Sequence, residues 1–419
     1  MYPKRGLNKI KSILKNNKKL FSFIGLSYFD KMVIFLLPLI VLSLFKDKTV
    51  YVNIEYIYSL VVIIVPFLDL GLSGYFFYAY RNNDSFRQVI ADVIKLFHII
   101  YIGVFVIGLF LILIHYFVFP FEKHIVYVVS RSIFILTFAF LTSYYRLVNK
   151  PQKALLVTLS ANFISLSFLL VFFFLGADFN LWFIFIGQII FCSFYFVKVL
   201  TRVISRWVKT YQPFSKLGLI KKSILFSWPN IIQVFILMYI ANYGKINAIE
   251  NMSVDNAFLL SLSQRFSMLI QLTHSAILGF LMKDIFVTGD LMSIKKSILF
   301  KYLFLLFSAV IAVIVVVMGY FYVYENTYEI GFLLLNLSLI VGYTFLWCVY
   351  SYFEVYYSRE NKNTIKMYLA IVNGIIFITI FNMLSYDYIV RITLAMFVST
   401  LITLLISIII LKKRKYKLV

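Results

Sequence analysis

Residues 21–44 read FSFIGLSYFDKMVIFLLPLIVLSL, 24 residues with no charge except the adjacent Asp30 and Lys31. About 20 apolar residues in a helix cross the roughly 30 Å hydrocarbon core of a bilayer. The run is long enough. It also lacks the apolar/polar alternation of a transmembrane β-strand, which is about 10 residues long. Backbone polar groups in lipid must be satisfied inside the segment, so the run reads as a helix. Eleven more runs repeat the pattern, at 53–78, 97–119, 126–146, 154–176, 180–200, 224–244, 256–282, 298–323, 330–356, 365–384 and 389–411. The predicted fold class is all-α, a polytopic membrane protein of about 12 transmembrane helices. Composition agrees: the 419 residues are 62% hydrophobic and 14% charged. A soluble domain carries about 25% charged residues.

The net charge is nevertheless +23. On a soluble chain that would point to nucleic acid. Here 31 of the 40 lysines and arginines fall in segments on one side of the predicted spans, beginning with the seven of residues 1–20. The opposite side holds only Lys46, Lys48, Lys123 and Lys245. The positive-inside rule then makes both termini cytoplasmic, as an even number of spans requires. The partner this predicts is the lipid bilayer, with no nucleic acid. The longest inside connection, 201–223, splits the spans into lobes of six helices at 21–200 and 224–411, followed by a basic tail at 412–419. Lobe pairs of this kind often arise by duplication around a central pathway. Residues 1–20 read either as a helix lying on the inner leaflet, with Leu7, Ile10, Ile13 and Leu14 on one face, or as a basic tail. The run that follows them has no cleavage site and is taken as the first span.

Several chemistries have no signature. There is no phosphate-binding G-x-x-x-x-G-K-[ST] loop and no zinc motif. No long outer loop carries paired carboxylates for acid–base work. The expectation is a non-enzyme with no catalytic residue, no metal and no cofactor. Cys192 and Cys348 fall inside spans and read as packing residues rather than a disulfide.

Ionisable residues inside spans cost roughly 2.5–3.5 kcal/mol on insertion scales and usually face a cavity or a partner. Asp30, Lys31, Asp69, Arg131, Arg265, Lys301, Glu354 and Arg391 qualify. Asp30, Lys31 and Arg265 lie near the midplane. Two readings stand for them. One is a hydrated cavity in which cations hold an anionic headgroup and Asp30 couples to a proton or sodium ion. The other is an interhelical ion pair, such as Asp30 with Arg265, that locks the bundle. Neighbours on a helix point about 100° apart, so Asp30 and Lys31 do not simply neutralise each other. Arg131, Lys301 and Arg391 sit close enough to helix ends to snorkel. Asp69, between Pro66 and Gly71, and Glu354 lie toward cytoplasmic ends; Asp69 also reads as the cap of a bent helix. His274 reads as a buried hydrogen-bonded residue or a proton relay. Tyr350, Tyr352, Phe353, Tyr356 and Tyr357 read as an interfacial belt or a sugar-contacting stripe.

Two short motifs carry a resemblance. Pro66-Phe67-Leu68-Asp69-Leu70-Gly71-Leu72-Ser73 ends span two, and Lys221-Lys222 with Phe226-Ser227-Trp228-Pro229 opens span seven. With twelve spans and no ATP site, the chain resembles the polysaccharide-transporter branch (Wzx-type O-antigen flippases) of the multidrug/oligosaccharidyl-lipid/polysaccharide exporter superfamily. It departs from that branch at Asn242-Tyr243-Gly244-Lys245, where an acidic–basic pair is usual. The resemblance implies a flippase of the bacterial cytoplasmic (inner) membrane serving O-antigen or lipopolysaccharide assembly. Its partners would be an undecaprenyl-diphosphate-linked oligosaccharide, a proton or sodium ion, and other polysaccharide-assembly membrane proteins. The residues it would place in substrate binding or ion coupling are Asp30, Lys31, Arg265, Arg131, Asp69, Glu354 and His274. The nearest alternative is a drug/cation antiporter of the same superfamily, which favours acidic cavity residues. A membrane glycan polymerase stands further off, because it needs a long outer loop.

Overall fold

The computed structural model describes residues 18–72, 75, 86–118, 123–147, 150–176, 180–209, 217–287, 296–324 and 329–415. These residues form twelve long α-helices. The first six are α1 (Lys18–Phe45), α2 (Lys48–Leu68), α3 (Phe86–Phe117), α4 (Lys123–Leu147), α5 (Pro151–Phe174) and α6 (Trp182–Lys209). The second six are α7 (Leu217–Asn251), α8 (Val254–Val287), α9 (Lys296–Tyr324), α10 (Ile330–Arg359), α11 (Asn363–Met383) and α12 (Tyr388–Lys415). Eleven are long and apolar enough to cross a membrane. The exception is α8, which carries Ser261, Ser263, Gln264, Arg265, Ser267, Gln271, Thr273 and His274. Its packing explains this composition. It touches α1, α2, α7, α9 and α10, so its polar groups meet protein instead of lipid.

Packing repeats between the halves. In the first lobe α1 packs on α2 and α5; α4 packs on α2, α3, α5 and α6; and α5 packs on α6. The same pairs recur six helices later: α7 on α8 and α11; α10 on α8, α9, α11 and α12; α11 on α12. The lobes meet through α1–α8, α2–α7 and α2–α8. A two-fold exchange of lobes swaps the first two contacts and returns the third to itself. The chain is thus two copies of one six-helix plan joined face to face. The peripheral α3 and α9 expose large apolar side chains such as Phe110, Phe117, Phe304 and Tyr322, the surface a bilayer covers.

Local signals set the ends. Asp47 caps α2, its Oδ1 accepting from the backbone N–H of Thr49 at 2.8 Å and of Val50 at 3.3 Å. Pro151 opens α5, and the Asn180 side chain accepts from Trp182 N–H at the start of α6. The second helix departs from expectation: it starts at Lys48 and stops at Leu68 instead of running over 53–78. Pro66 weakens its last turn, and Leu70 and Gly71 take positive φ of 47° and 64°, which ends it. Apolar residues beyond Gly71 lengthen the predicted run past this stop. The amphipathic reading of residues 1–17 and the centre of the lobe connection, 210–216, lie outside the described residues.

Lys18 and Lys415 lie at one end of the bundle, called here the terminal end; the α1–α2 and α7–α8 connections lie at the opposite, distal end.

Candidate functional site

The strongest electrostatic feature sits on the seam between lobes, in its distal half. Glu55 of α2 is buried. Its Oε1 accepts a hydrogen bond from Arg265 Nε of α8, and its Oε2 is 3.0 Å from Lys245 Nζ of α7. Both cations are buried as well. Sequence reasoning missed two of these three groups. It placed Glu55 and Lys245 in outer loops, whereas α2 begins five residues earlier than predicted and α7 continues to Asn251. Seven residues at 1.5 Å each put Glu55 about 10 Å inside α2. The expected Asp30–Arg265 pair does not form among the described contacts; Arg265 is taken by Glu55.

Arg265 also reaches into the first lobe's backbone. Its Nη1 donates to the carbonyls of Ile34 at 3.3 Å and Phe35 at 3.0 Å. The cause lies in α1. Pro38 has no N–H, so the Ile34 carbonyl loses its partner four residues on. An orphaned carbonyl in a membrane needs a donor, and a guanidinium from the other lobe supplies it. Tyr58 of α2 extends the site. Its ring lies 4.4 Å from the Arg131 guanidinium and 5.8 Å from that of Arg265. Arg131, expected to snorkel, is instead buried in the first lobe. Three buried cations therefore gather around one carboxylate. At the distal rim Lys48 bridges to Asp255 across the lobes at 3.1 Å, a half-exposed pair of small energetic weight.

Asp30, one turn below Ile34, is fully buried and faces α5. Asn162 Nδ2 donates to its Oδ1 at 3.3 Å. Lys31 Nζ comes within 3.5 Å of Oδ2. Adjacent residues were expected not to neutralise each other; the flexible lysine stem curls back and makes the pair. Lys31 is nonetheless 42% exposed at its side chain, so the contact is weakly held.

The remaining candidates lie apart from this seam. Glu354 of α10 accepts a hydrogen bond from Gln233 of α7, and the Lys366 ammonium acts on it electrostatically. Lys366, expected in a loop, is buried at the start of α11 and bonds Ser358 Oγ at 2.6 Å. Removing one charge of such a pair strands the other. Lys366→Met is expected to cost about 3–5 kcal/mol, and adding Glu354→Gln to recover most of it. Unfolding of detergent-purified variants measures both.

His274 Nδ1 meets Tyr302 Oη at 2.6 Å, and that hydroxyl donates to the Cys348 carbonyl at 3.0 Å. The histidine must then donate from Nδ1, which makes it a hydrogen-bonded part of the second lobe's core. Asp69 is buried and occupies the C-cap position of α2. Beside it, Ser227 Oγ of α7 donates to the Gly71 carbonyl at 3.0 Å, linking the lobes near the terminal end. Tyr28 and Thr273 hydrogen-bond across α1 and α8 on the same half. Tyr350, Tyr352, Tyr356 and Tyr357 form neither belt nor sugar stripe; they are buried, with Tyr352 stacked on Tyr302 at 4.8 Å. Arg391 lies over Phe381 at 4.2 Å. The Lys301 side chain is outside the described residues. Cys192 and Cys348 are free and buried. No group of three or more metal-binding side chains occurs among the described residues.

No family model matches the sequence, and no curated protein sequence matches it. Solved structures do match in fold. The MATE multidrug transporter DinF-BH in complex with R6G aligns with a TM-score of 0.63 and 14% identity, over 94% of this chain and 95% of that one. A point mutant of the Vibrio cholerae MATE transporter VcmN aligns with 0.61 and 14% identity, over 96% and 97%. A MATE in the straight conformation aligns with 0.61 and 13% identity, over 94% of each chain. The fold is thus that of MATE transporters. The polysaccharide branch that the two short motifs suggested gains no support from these relatives.

Proposed function

We propose that this chain, having the fold of MATE transporters, is an ion-coupled exporter working by alternating access of its two lobes. The distal end faces outward. The cargo is an anionic amphiphile, an undecaprenyl-diphosphate-linked oligosaccharide repeat unit, moved from the cytoplasmic to the outer leaflet. One observation carries this reading: Arg131, Arg265 and Lys245 are buried around the single carboxylate of Glu55. Buried charge without a partner is expensive, and an anionic group arriving at the seam relieves the excess. A diphosphate and its sugars cannot cross hydrocarbon bare, whereas the lipid tail can stay in the bilayer at a lateral opening. Asp30, buried against Asn162, is the coupling carboxylate in this scheme, and proton or sodium is its ion.

Gene deletion followed by analysis of lipid-linked intermediates tests the reading. Cytoplasm-facing repeat units are expected to accumulate, and Arg265→Ala or Asp30→Ala to reproduce the loss of surface glycan while the protein still inserts. Normal glycan in both variants would overturn the site assignment.

A second reading, a drug/cation antiporter, is favoured by the fold likeness to DinF-BH, solved with R6G. Vesicles holding the purified chain separate the two. Proton- or sodium-driven movement of a cationic dye without movement of an isoprenyl diphosphate would select the antiporter.

A further inference from the structure

We propose that the cargo's anionic group and Glu55 compete for the same two cations, Arg265 and Lys245, so that cargo arrival itself unlatches the distal seam. The idea rests on the anionic-cargo reading and adds the switch that reading leaves unspecified.

The geometry makes Glu55 a latch. It belongs to α2 of the first lobe, and its two partners belong to α7 and α8 of the second. Opening the distal seam must pull one carboxylate away from two cations at once. While the seam is dry, that separation leaves three charges without partners. The other distal link, Lys48 with Asp255, is a rim pair with 67% of the Asp255 side chain exposed, and it holds little.

Charge then decides which ligand the cations prefer. Glu55 brings one negative charge to two positive ones. An isoprenyl diphosphate brings two or more, with several acceptor oxygens, and satisfies both cations together. Lys245 has three ammonium donors, one of them on Glu55. Arg131, beside Tyr58, adds a further cation on the first-lobe side. Once phosphate holds the C-terminal lobe's cations, Glu55 is free to leave with the first lobe and the seam opens. When water enters, Glu55 competes again, displaces the phosphate outward and closes the seam behind it. One carboxylate thus serves as both latch and release agent.

The test uses the full chain in lipid nanodiscs, with Cys192→Ala and Cys348→Ala as background. Spin labels go at Thr49→Cys and Val254→Cys, exposed at the distal ends of α2 and α8. Farnesyl diphosphate is the probe and farnesol the uncharged control; binding and label separation are measured in parallel. Farnesyl diphosphate is expected to lengthen the separation, and farnesol to leave it unchanged. Glu55→Gln is expected to be open without probe and to bind farnesyl diphosphate about tenfold more tightly. Lys245→Gln keeps Glu55 and Arg265 paired one to one. It should stay closed and bind about tenfold more weakly, and it carries the test if Glu55→Gln does not fold. Binding of farnesyl diphosphate with no change in separation, and with Lys245→Gln binding as the parent does, would sink the latch and leave the anionic-cargo reading standing. Absence of farnesyl diphosphate binding to the parent and to both variants would remove both.

Discussion

Replacing Glu55 with Met is expected to cost about 3–5 kcal/mol of stability, because it strands two buried cations. Replacing Arg265 with Met is expected to cost less, about 1–3 kcal/mol, although arginine is the larger group. The difference follows from what each substitution leaves behind. Without Arg265, Glu55 and Lys245 remain a one-to-one pair at 3.0 Å, and the loss is the donor to the Ile34 and Phe35 carbonyls. Without Glu55, no carboxylate is left for either cation. The triple substitution of Glu55, Arg265 and Lys245 by Met is expected to recover most of the stability and none of the transport. Denaturant or thermal unfolding in detergent reads the first quantity, and vesicle transport the second. Strong non-additivity among the three positions is the expected mark of a shared network. Simple addition of the single effects would disprove it.

Gly71→Ala is the second large effect. Gly71 has a φ of +64°, which costs a side-chain-bearing residue about 1–2 kcal/mol. A Cβ there would stand 2.4 Å from Ser227 Cβ and 3.3 Å from its Cα. Relieving that overlap pushes α7 away from the end of α2, adding about 1–3 kcal/mol. It also breaks the Ser227–Gly71 hydrogen bond between the lobes near the terminal end. Transport is expected to fall at least tenfold. Adding Ser227→Gly removes the overlapping atoms and leaves only the backbone strain, so the double variant should transport better than Gly71→Ala alone. Equal activity of the two would show that the close approach does not matter.

Twelve helices are legible in the sequence because lipid-length apolar runs leave little choice of structure. Arg265 and Asp30 are legible as buried charges because each sits far from any helix end. Their partners are not. Glu55 reads as a loop acid when span two is taken as 53–78. The shift comes from apolar residues after Gly71 that look like more helix and from an Asp47 cap that a hydropathy scan does not weigh. Lys245 and Lys366 read as flanking bases for the same reason: a helix that continues past its most apolar stretch carries its last charges inward with it. The Asp30–Arg265 pair is the natural guess from depth alone. Depth says nothing of azimuth, and Asp30 turns to Asn162 of α5 while Arg265 meets α2.

The span of chain between partners in the seam also matters to how the protein is made. Glu55 lies 190 residues ahead of Lys245 and 210 ahead of Arg265. At about 5–20 residues per second, the ribosome needs on the order of 10–40 seconds to supply the missing cations. Through that interval the first lobe stands in the membrane with an uncompensated carboxylate on α2 and a carbonyl on α1 that Pro38 has stripped of its donor. A truncated chain ending before α7 would keep both defects permanently. The first lobe is therefore a dependent intermediate, one that insertion factors must shelter and that membrane proteases can recognise, until the second lobe arrives to complete it.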